Sequence, residues 1–363
     1  MNYLMNISEW DRLVLENKIR PLTSAGYLGT AIYLTVIGLI ATIGNVLVLV
    51  VFYKHKKLRK NPHNQLLLNL VISDLGISLF GYPLTTSSNY AGRYLFGKVG
   101  CVIQGFLTFT LAQTDMNTLA CLSVYRFIAV CMPGDVHRLT RSVTIKVIIF
   151  LWVYSLLWTV PPLLGWSAYT YEPFGTSCSI DWDDEDSGAV AYTWCLIVYC
   201  YLLHIIIIAY CYYKIAMKAK EVHSRLKHFT IGGICNSDSM CLRRVQMERK
   251  SSLMSLALTA NFVVLWSPYA FVCLWSVYDP NLPNWITVWP TMFAKFTCTL
   301  NPILYFMTHP TFKRHVMALF PQARDRPSTS GQEMRPLRAS RVFTTDRNKE
   351  DVYTGKKHHL QDM

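Results

Sequence analysis

The chain has 363 residues, 52% of them hydrophobic and only 16% charged, against about 25% charged in a typical soluble domain. With a mean hydropathy of +0.24, this composition excludes a pair of soluble domains and fits one membrane domain with polar ends. The net charge of +13 falls in a few segments between apolar runs, which suits membrane topology and argues against a nucleic-acid partner.

In chain order, residues 1–26 form a polar N-terminal segment. Its start, MNYLMNISEWDRLVLENK, has acidic residues and no continuous apolar run, so no cleavable signal is expected and the first span serves as its own. Seven runs long enough to cross a hydrocarbon core of about 30 Å follow: 27–53, 64–90, 97–131, 143–166, 189–213, 251–278 and 285–307. The third, with Gln104, Gln113, Thr114, Asp115 and Asn117, is the least apolar and is expected at the centre of a bundle. Lys and Arg gather at 54–60 (KHKKLRK), at 137–141, in the 214–250 loop and in the tail from 313, whereas 181–186 reads DWDDED. By the positive-inside rule the basic loops are cytoplasmic and the N-terminus is outside. The sequon Asn6-Ile7-Ser8 agrees, as a candidate glycosylation site. The expected fold is an all-α membrane protein, a seven-helix bundle over residues 27–307. Residues 308–320 are expected to form a short amphipathic helix on the cytoplasmic surface, with Lys313, Arg314 and His315 toward lipid headgroups. Residues 321–363 read as a disordered tail in which Ser328, Thr329, Ser330, Thr344 and Thr345 are candidates for phosphorylation.

Lys295 stands in the uncharged run 286–305, about ten residues from either end. A charge at the centre of a membrane helix costs roughly 2.5–3.5 kcal/mol or more, and that position leaves little scope for snorkelling to water. A desolvated lysine is pushed toward its neutral, nucleophilic form, which reacts with a carbonyl to give a Schiff base. Of the eleven cysteines most lie inside apolar runs. Cys101 and Cys178 instead fall on the outer face, an oxidising compartment, and are expected to form a disulfide. No metal site is expected.

Gly44-Asn45, the LNLVISD stretch ending at Asp74, Arg126, Trp152, Trp266-Ser267-Pro268 and Asn301-Pro302-Ile303-Leu304-Tyr305 together resemble the motifs of rhodopsin-like G-protein-coupled receptors. Lys295, six residues before Asn301, then matches the retinal-binding lysine of opsins. Gly81-Tyr82-Pro83, the run from Glu172 to Cys178 followed by Asp181-Trp182, and Trp266 to Tyr269 are similar to the peropsin, neuropsin and retinal-G-protein-coupled-receptor branch. The resemblance covers roughly residues 27–320. It implies covalently bound retinal, 11-cis or all-trans, with Trp266 against the polyene ring and Tyr269 lining the pocket. A protonated Schiff base needs an anion. Vertebrate visual pigments place a glutamate where this chain has Gln104, which is neutral, so Glu172 is expected to be the counterion. Asp115 is expected to lie too deep for that role and to join Asp74 and Asn301 in a polar network at mid-membrane.

Two positions depart from the family pattern. Tyr125 precedes Arg126 where an acid is usual, so Arg126 is expected to be freer, with Glu248 able to pair with it across the bundle, and the outcome is either raised basal activity or a receptor whose switch has decayed. His204 stands in the fifth span where most relatives have proline, which removes a kink and adds a titratable group, most simply a structural one. Tyr212, Pro302 and Tyr305 keep the family's activation pattern. The resemblance implies a non-enzymatic, light-sensing receptor of the plasma membrane. Its implied partners are a heterotrimeric G protein and, through the tail, arrestin and a receptor kinase. A retinal photoisomerase with weak or no signalling is the alternative.

Overall fold

The computed structural model describes residues 9–231, 239–279, 281–308 and 310–317, with side chains undescribed at 9, 223–248, 310 and 311. Asn6, the side chain of Glu248 and the whole tail from 318 therefore lie outside the described residues. Twelve α-helices are described: α1 (Glu9–Leu15), α2 (Ser24–Lys54), α3 (Lys56–Lys60), α4 (Pro62–Gly76), α5 (Tyr82–Ala91), α6 (Gly97–Cys131), α7 (Arg141–Thr159), α8 (Ser187–Cys195), α9 (Leu203–Ile231), α10 (Ser239–Ser276), α11 (Asn284–Thr308) and α12 (Pro310–Met317). Two π-helical segments, Ile77–Gly81 and Leu196–Leu202, join α4 to α5 and α8 to α9. Seven long helical rods result, one for each of the seven runs; the fifth continues to Ile231, beyond the expected 213, and the sixth begins at Ser239, ahead of the expected 251. The fourth is shorter than expected: α7 stops at Thr159 and Pro161–Leu164 is a 3₁₀ turn, because the Pro161-Pro162 pair cannot continue the α-helical ladder.

Five of the rods are long and apolar enough to cross a membrane: Ser24–Lys54, Pro62–Ala91, Arg141–Thr159, Ser187–Val222 and Arg249–Ser276. The two more polar ones, α6 and α11, are covered by the rest. α6 packs against α4, α7, α9 and α10, and α11 against α2 and α10, so their polar side chains find partners within the protein. Trp152 donates its indole N–H to Asn69 (2.9 Å), and Asn69 donates to the Thr118 hydroxyl (2.8 Å). Asn117 donates to the Ser155 hydroxyl (2.9 Å), and Asn45 donates to the carbonyls of Ala41 and Cys298. Interhelical bonds of this kind contribute roughly 0.6 kcal/mol each, and their larger effect is to fix the register of one helix on the next. Gly44 permits the closest approach of α2 to α11, since a Cβ there would lie 2.6 Å from the Pro302 ring.

The fifth rod remains irregular although His204 replaces the proline. Leu196–Leu202 winds as a π-helix just before that position, and the Tyr154 hydroxyl donates to the Tyr199 carbonyl at 3.1 Å. The expected straightening does not occur, because a wide turn with its carbonyl caught by α7 supplies the distortion instead. His204 itself is buried and packs its ring against Tyr154.

One end of the bundle is closed by a hairpin of β1 (Tyr169–Tyr171) and β2 (Cys178–Ile180), antiparallel with Tyr171 opposite Cys178. The Cys101–Cys178 disulfide ties β2 to the start of α6, as expected. The tip of the hairpin is held from the N-terminal side. Trp10 donates to the Gly175 carbonyl (3.0 Å), Tyr27 to the Phe174 carbonyl (3.0 Å), and the Arg20 amide to the Pro173 carbonyl (2.7 Å). Gly175 has φ +75°, and a Cβ there would meet Ile19 at 2.6 Å and Trp10 at 3.0 Å. At the opposite end α12 returns along the bundle, packing Phe312 on Tyr305 and stacking His315 on His55 at 3.5 Å.

Two measurements test this lid. Gly175→Ala is expected to lower stability in detergent by about 1–3 kcal/mol, from strain at positive φ and the Ile19 contact; an unchanged thermal midpoint contradicts it. Beside the hairpin, burial pushes the Asp183 carboxyl up to about 6, opposed by a hydrogen bond from Ser276. Between about pH 4 and 6 the folded chain then keeps a proton that the unfolded chain releases, so stability falls as pH rises through this window. Asp183→Asn is expected to raise the midpoint at pH 7, by up to about 2–3 kcal/mol of stability, and to leave it unchanged at pH 4. A difference that is the same at both pH values contradicts this.

Candidate ligand cavity and its amine

Beneath the hairpin lies a cavity of about 160 Å³, lined mainly by apolar and aromatic side chains from the second, third, fifth, sixth and seventh rods. The helix irregularities place some of these. The π turn in the fifth rod delivers Leu196, Ile197 and Cys200 to the wall, and that in the second delivers Ile77 and Gly81. Gly81 is also where Thr108 of α6 comes closest, at 2.7 Å from a would-be Cβ, which keeps the second and third rods tightly apposed beside the cavity.

Lys295 opens into this space, from the middle of α11. Its exposure is to the cavity, since the side chain is otherwise enclosed. The Tyr82 hydroxyl donates to the Lys295 backbone carbonyl, pinning the residue that carries the amine. The sequence reading placed it at mid-membrane, and the bundle gives it a buried amine facing an apolar chamber.

Glu172 enters the same cavity from the hairpin turn. Its backbone N–H donates to the Ser177 carbonyl (2.8 Å) and its carbonyl accepts from the Gly175 N–H (2.7 Å), so the tight turn aims the side chain inward. It is only 5% exposed, which rules out a solvated loop acid. Burial pushes its carboxyl above the usual range, while the field of Lys295 and hydrogen bonds from Ser179 and Tyr269 draw it back. The Tyr269 hydroxyl donates to Glu172 Oε1 at 3.0 Å and accepts from the Trp182 indole at 3.1 Å. Trp182 was not among the expected site residues; the Asp181-Trp182 pair carried only a family likeness until the hairpin folded it over Tyr269. Trp266 lies one helical turn deeper in the cavity wall, stacked on Phe262 at 5.2 Å and edge-on to Tyr269.

Gln104 is elsewhere. Its carbonyl accepts from the Tyr94 hydroxyl (2.7 Å) and its amide donates to Thr85 (2.7 Å) and to the Gly81 carbonyl (3.4 Å). With its amide used in joining α6 to the second rod, it is not part of the cavity lining. Asp115 and Asp74 are likewise outside the cavity lining, whereas Cys298 reaches it; these three set ligand atoms within 4.8 Å of one another, the one such cluster among the described residues. Asn301 donates to Asp74 (2.9 Å) and accepts from Asn261 (3.2 Å), so the network reaches α10.

At the end away from the hairpin, Arg126 is buried and its Nε donates to His63 Nδ1 at 3.2 Å. A histidine on α4 thus accepts from Arg126 where no adjacent acid is present, and the side chain of Glu248, the expected partner, lies outside the described residues. Tyr125 shares a hydrogen bond with Thr144 of α7 at 3.1 Å. Tyr212 lies near Ser123, Thr259 and Arg126. Tyr305 and Pro302 sit on the buried face of α11.

The profile of the family described as 7 transmembrane receptor (rhodopsin family) matches residues 44–305. The visual pigment-like receptor peropsin of Homo sapiens is 31% identical over 80% of this chain and 83% of its own. The G0-coupled rhodopsin of Mizuhopecten yessoensis is 32% identical over 79% of this chain and 71% of its own, and the opsin-5 of Homo sapiens 32% over 75% and 76%. The crystal structure of squid rhodopsin is similar with a TM-score of 0.74 and 28% identity, over 84% of this chain and 88% of that one. With its seven rods, closing hairpin and cavity lysine, the chain belongs to the rhodopsin family of seven-transmembrane receptors, among its non-visual opsins near the peropsin and neuropsin branch.

Proposed function

We propose that this is a light-sensing receptor of the plasma membrane, N-terminus outside, that holds retinal through a Schiff base on Lys295 and passes the signal to a heterotrimeric G protein. The observation that carries the reading is the Lys295 amine in an apolar cavity that one buried carboxylate, Glu172, also lines. The cavity suits such a group: its lining is aromatic and aliphatic, its one amine is buried, and its one acid is oriented by Tyr269. Retinal, when bound, supplies a double bond that light isomerises.

The chain's own residues do the rest. Glu172 keeps a negative charge opposite the Lys295 nitrogen, and Tyr269 with Trp182 fixes its position. The hairpin and disulfide exclude water from above. Trp266 lies on the sixth rod beside Pro268, where a change of shape in the cavity can be converted into movement of α10. Asp74, Asn301 and Asn261 link that helix to α11, and Arg126, Tyr212 and Tyr305 form the end at which a G protein would bind. A G protein as partner is supported by the name of the G0-coupled relative. We further assign residues 27–307 to the receptor bundle and the segment beyond 320 to arrestin and receptor kinase.

The second reading, a retinal photoisomerase with little signalling, is favoured by Tyr125, whose bond to Thr144 leaves the arginine without its usual adjacent acid. Light-dependent nucleotide exchange on purified G proteins separates the two. Exchange above the dark level supports the receptor; stoichiometric isomerisation with no exchange on any G protein supports the isomerase.

Lys295→Ala is expected to abolish the pigment band that forms when retinal is added, and a band persisting in that variant rules out the attachment. Glu172→Gln is expected to reduce the protonated fraction of the pigment at neutral pH at least about tenfold, moving absorption to shorter wavelength. An unchanged spectrum would show that another group balances the charge.

A further inference from the structure

The arginine of this receptor is held by a residue that the family pattern does not supply. Arg126 and His63 are both buried, 7% exposed each, and the guanidinium Nε donates to His63 Nδ1 at 3.2 Å. Arginine has no acceptor atom, so the bond has one polarity: Nδ1 must offer its lone pair, and the imidazole is neutral with its proton on Nε2. The local sequence fixes that ring in place. Asn61 caps α4, its side chain accepting from the His63 backbone N–H at 3.0 Å, and Pro62 opens the helix. His63 therefore stands in the first turn of a rod whose later turns are locked to α6 through Asn69 and Thr118. Tyr125 does not compete, its hydroxyl being bonded to Thr144.

We propose that His63 is a positioning residue that holds Arg126 in the resting receptor, taking the place of the acid absent at position 125. The inference rests on the reading of the chain as a G-protein-coupled receptor. A neutral nitrogen grips a guanidinium without the charge of a carboxylate, so the restraint is directional: it fixes where Arg126 points, and a sub-ångström shift of α6 against α4 releases it. The second rod thereby acquires a part in the dark state at its α4 end, in addition to lining the ligand cavity at its other end.

The test uses the full-length chain, reconstituted with retinal in nanodiscs, and purified G0 and Gq heterotrimers. Dark nucleotide exchange is measured for wild type, His63→Ala and His63→Asn, each after its absorption spectrum has shown an intact pigment. His63→Ala is expected to raise dark exchange roughly tenfold. His63→Asn, whose amide oxygen falls where Nδ1 lies, is expected to return most of the way to wild type. Unchanged dark exchange in His63→Ala, or His63→Asn as active as His63→Ala, overturns the assignment while leaving light-driven exchange by wild type intact. A wild-type pigment that drives no exchange in light on any G protein instead overturns the receptor reading, and this inference with it.

Discussion

A buried amine and a buried carboxylate are each costly to remove from water, and each becomes tolerable only near the other. Lys295 and Glu172 face one cavity from opposite ends of the chain's topology, one on the last membrane helix and one on a hairpin turn. No direct salt bridge joins them, so the space between amine and carboxylate is held open by the scaffold. Holding it open requires the hairpin to be rigid. The disulfide to α6, the bonds from Trp10, Tyr27 and Arg20, and the positive φ at Gly175 all serve the position of one glutamate.

The same logic runs down the bundle. A membrane interior punishes unpaired polar groups, yet α6 carries a ladder of them, several answered by α4 or α7 through Asn69, Thr118, Asn117 and Ser155. The result is a rigid second-third-fourth helix unit. The sixth helix is joined to α11 by different means, the Asn261–Asn301 amide contact and apolar packing, which suits an element that must move. Arg126 sits at the seam between these parts.

Much of this was legible in the chain because single residues in a fixed register carry it. Lys295 is an energetic anomaly that no apolar helix tolerates without cause, and Asn301 six residues on fixes its depth. The pairing of Cys101 with Cys178 followed from compartment alone. The contribution of Glu172 followed from the neutrality of Gln104, although the reason Gln104 is neutral was hidden: its amide is a strut between α6 and the second rod, not a wall of the cavity. The π turn of the fifth rod was not legible, since no proline marks it and the carbonyl that Tyr154 captures is 45 residues away in sequence. His63 was hidden for a similar reason. It reads as one more basic residue beside a basic loop, and only the packing of α4 on α6 turns its lone pair toward Arg126.

The central claim is a covalent one, and chemistry can locate it. The purified chain is incubated with retinal in the dark, reduced with borohydride, digested and mapped by mass spectrometry. The account predicts a single retinyl adduct, on the peptide that contains Lys295. An adduct on another lysine, or none at all, would contradict it.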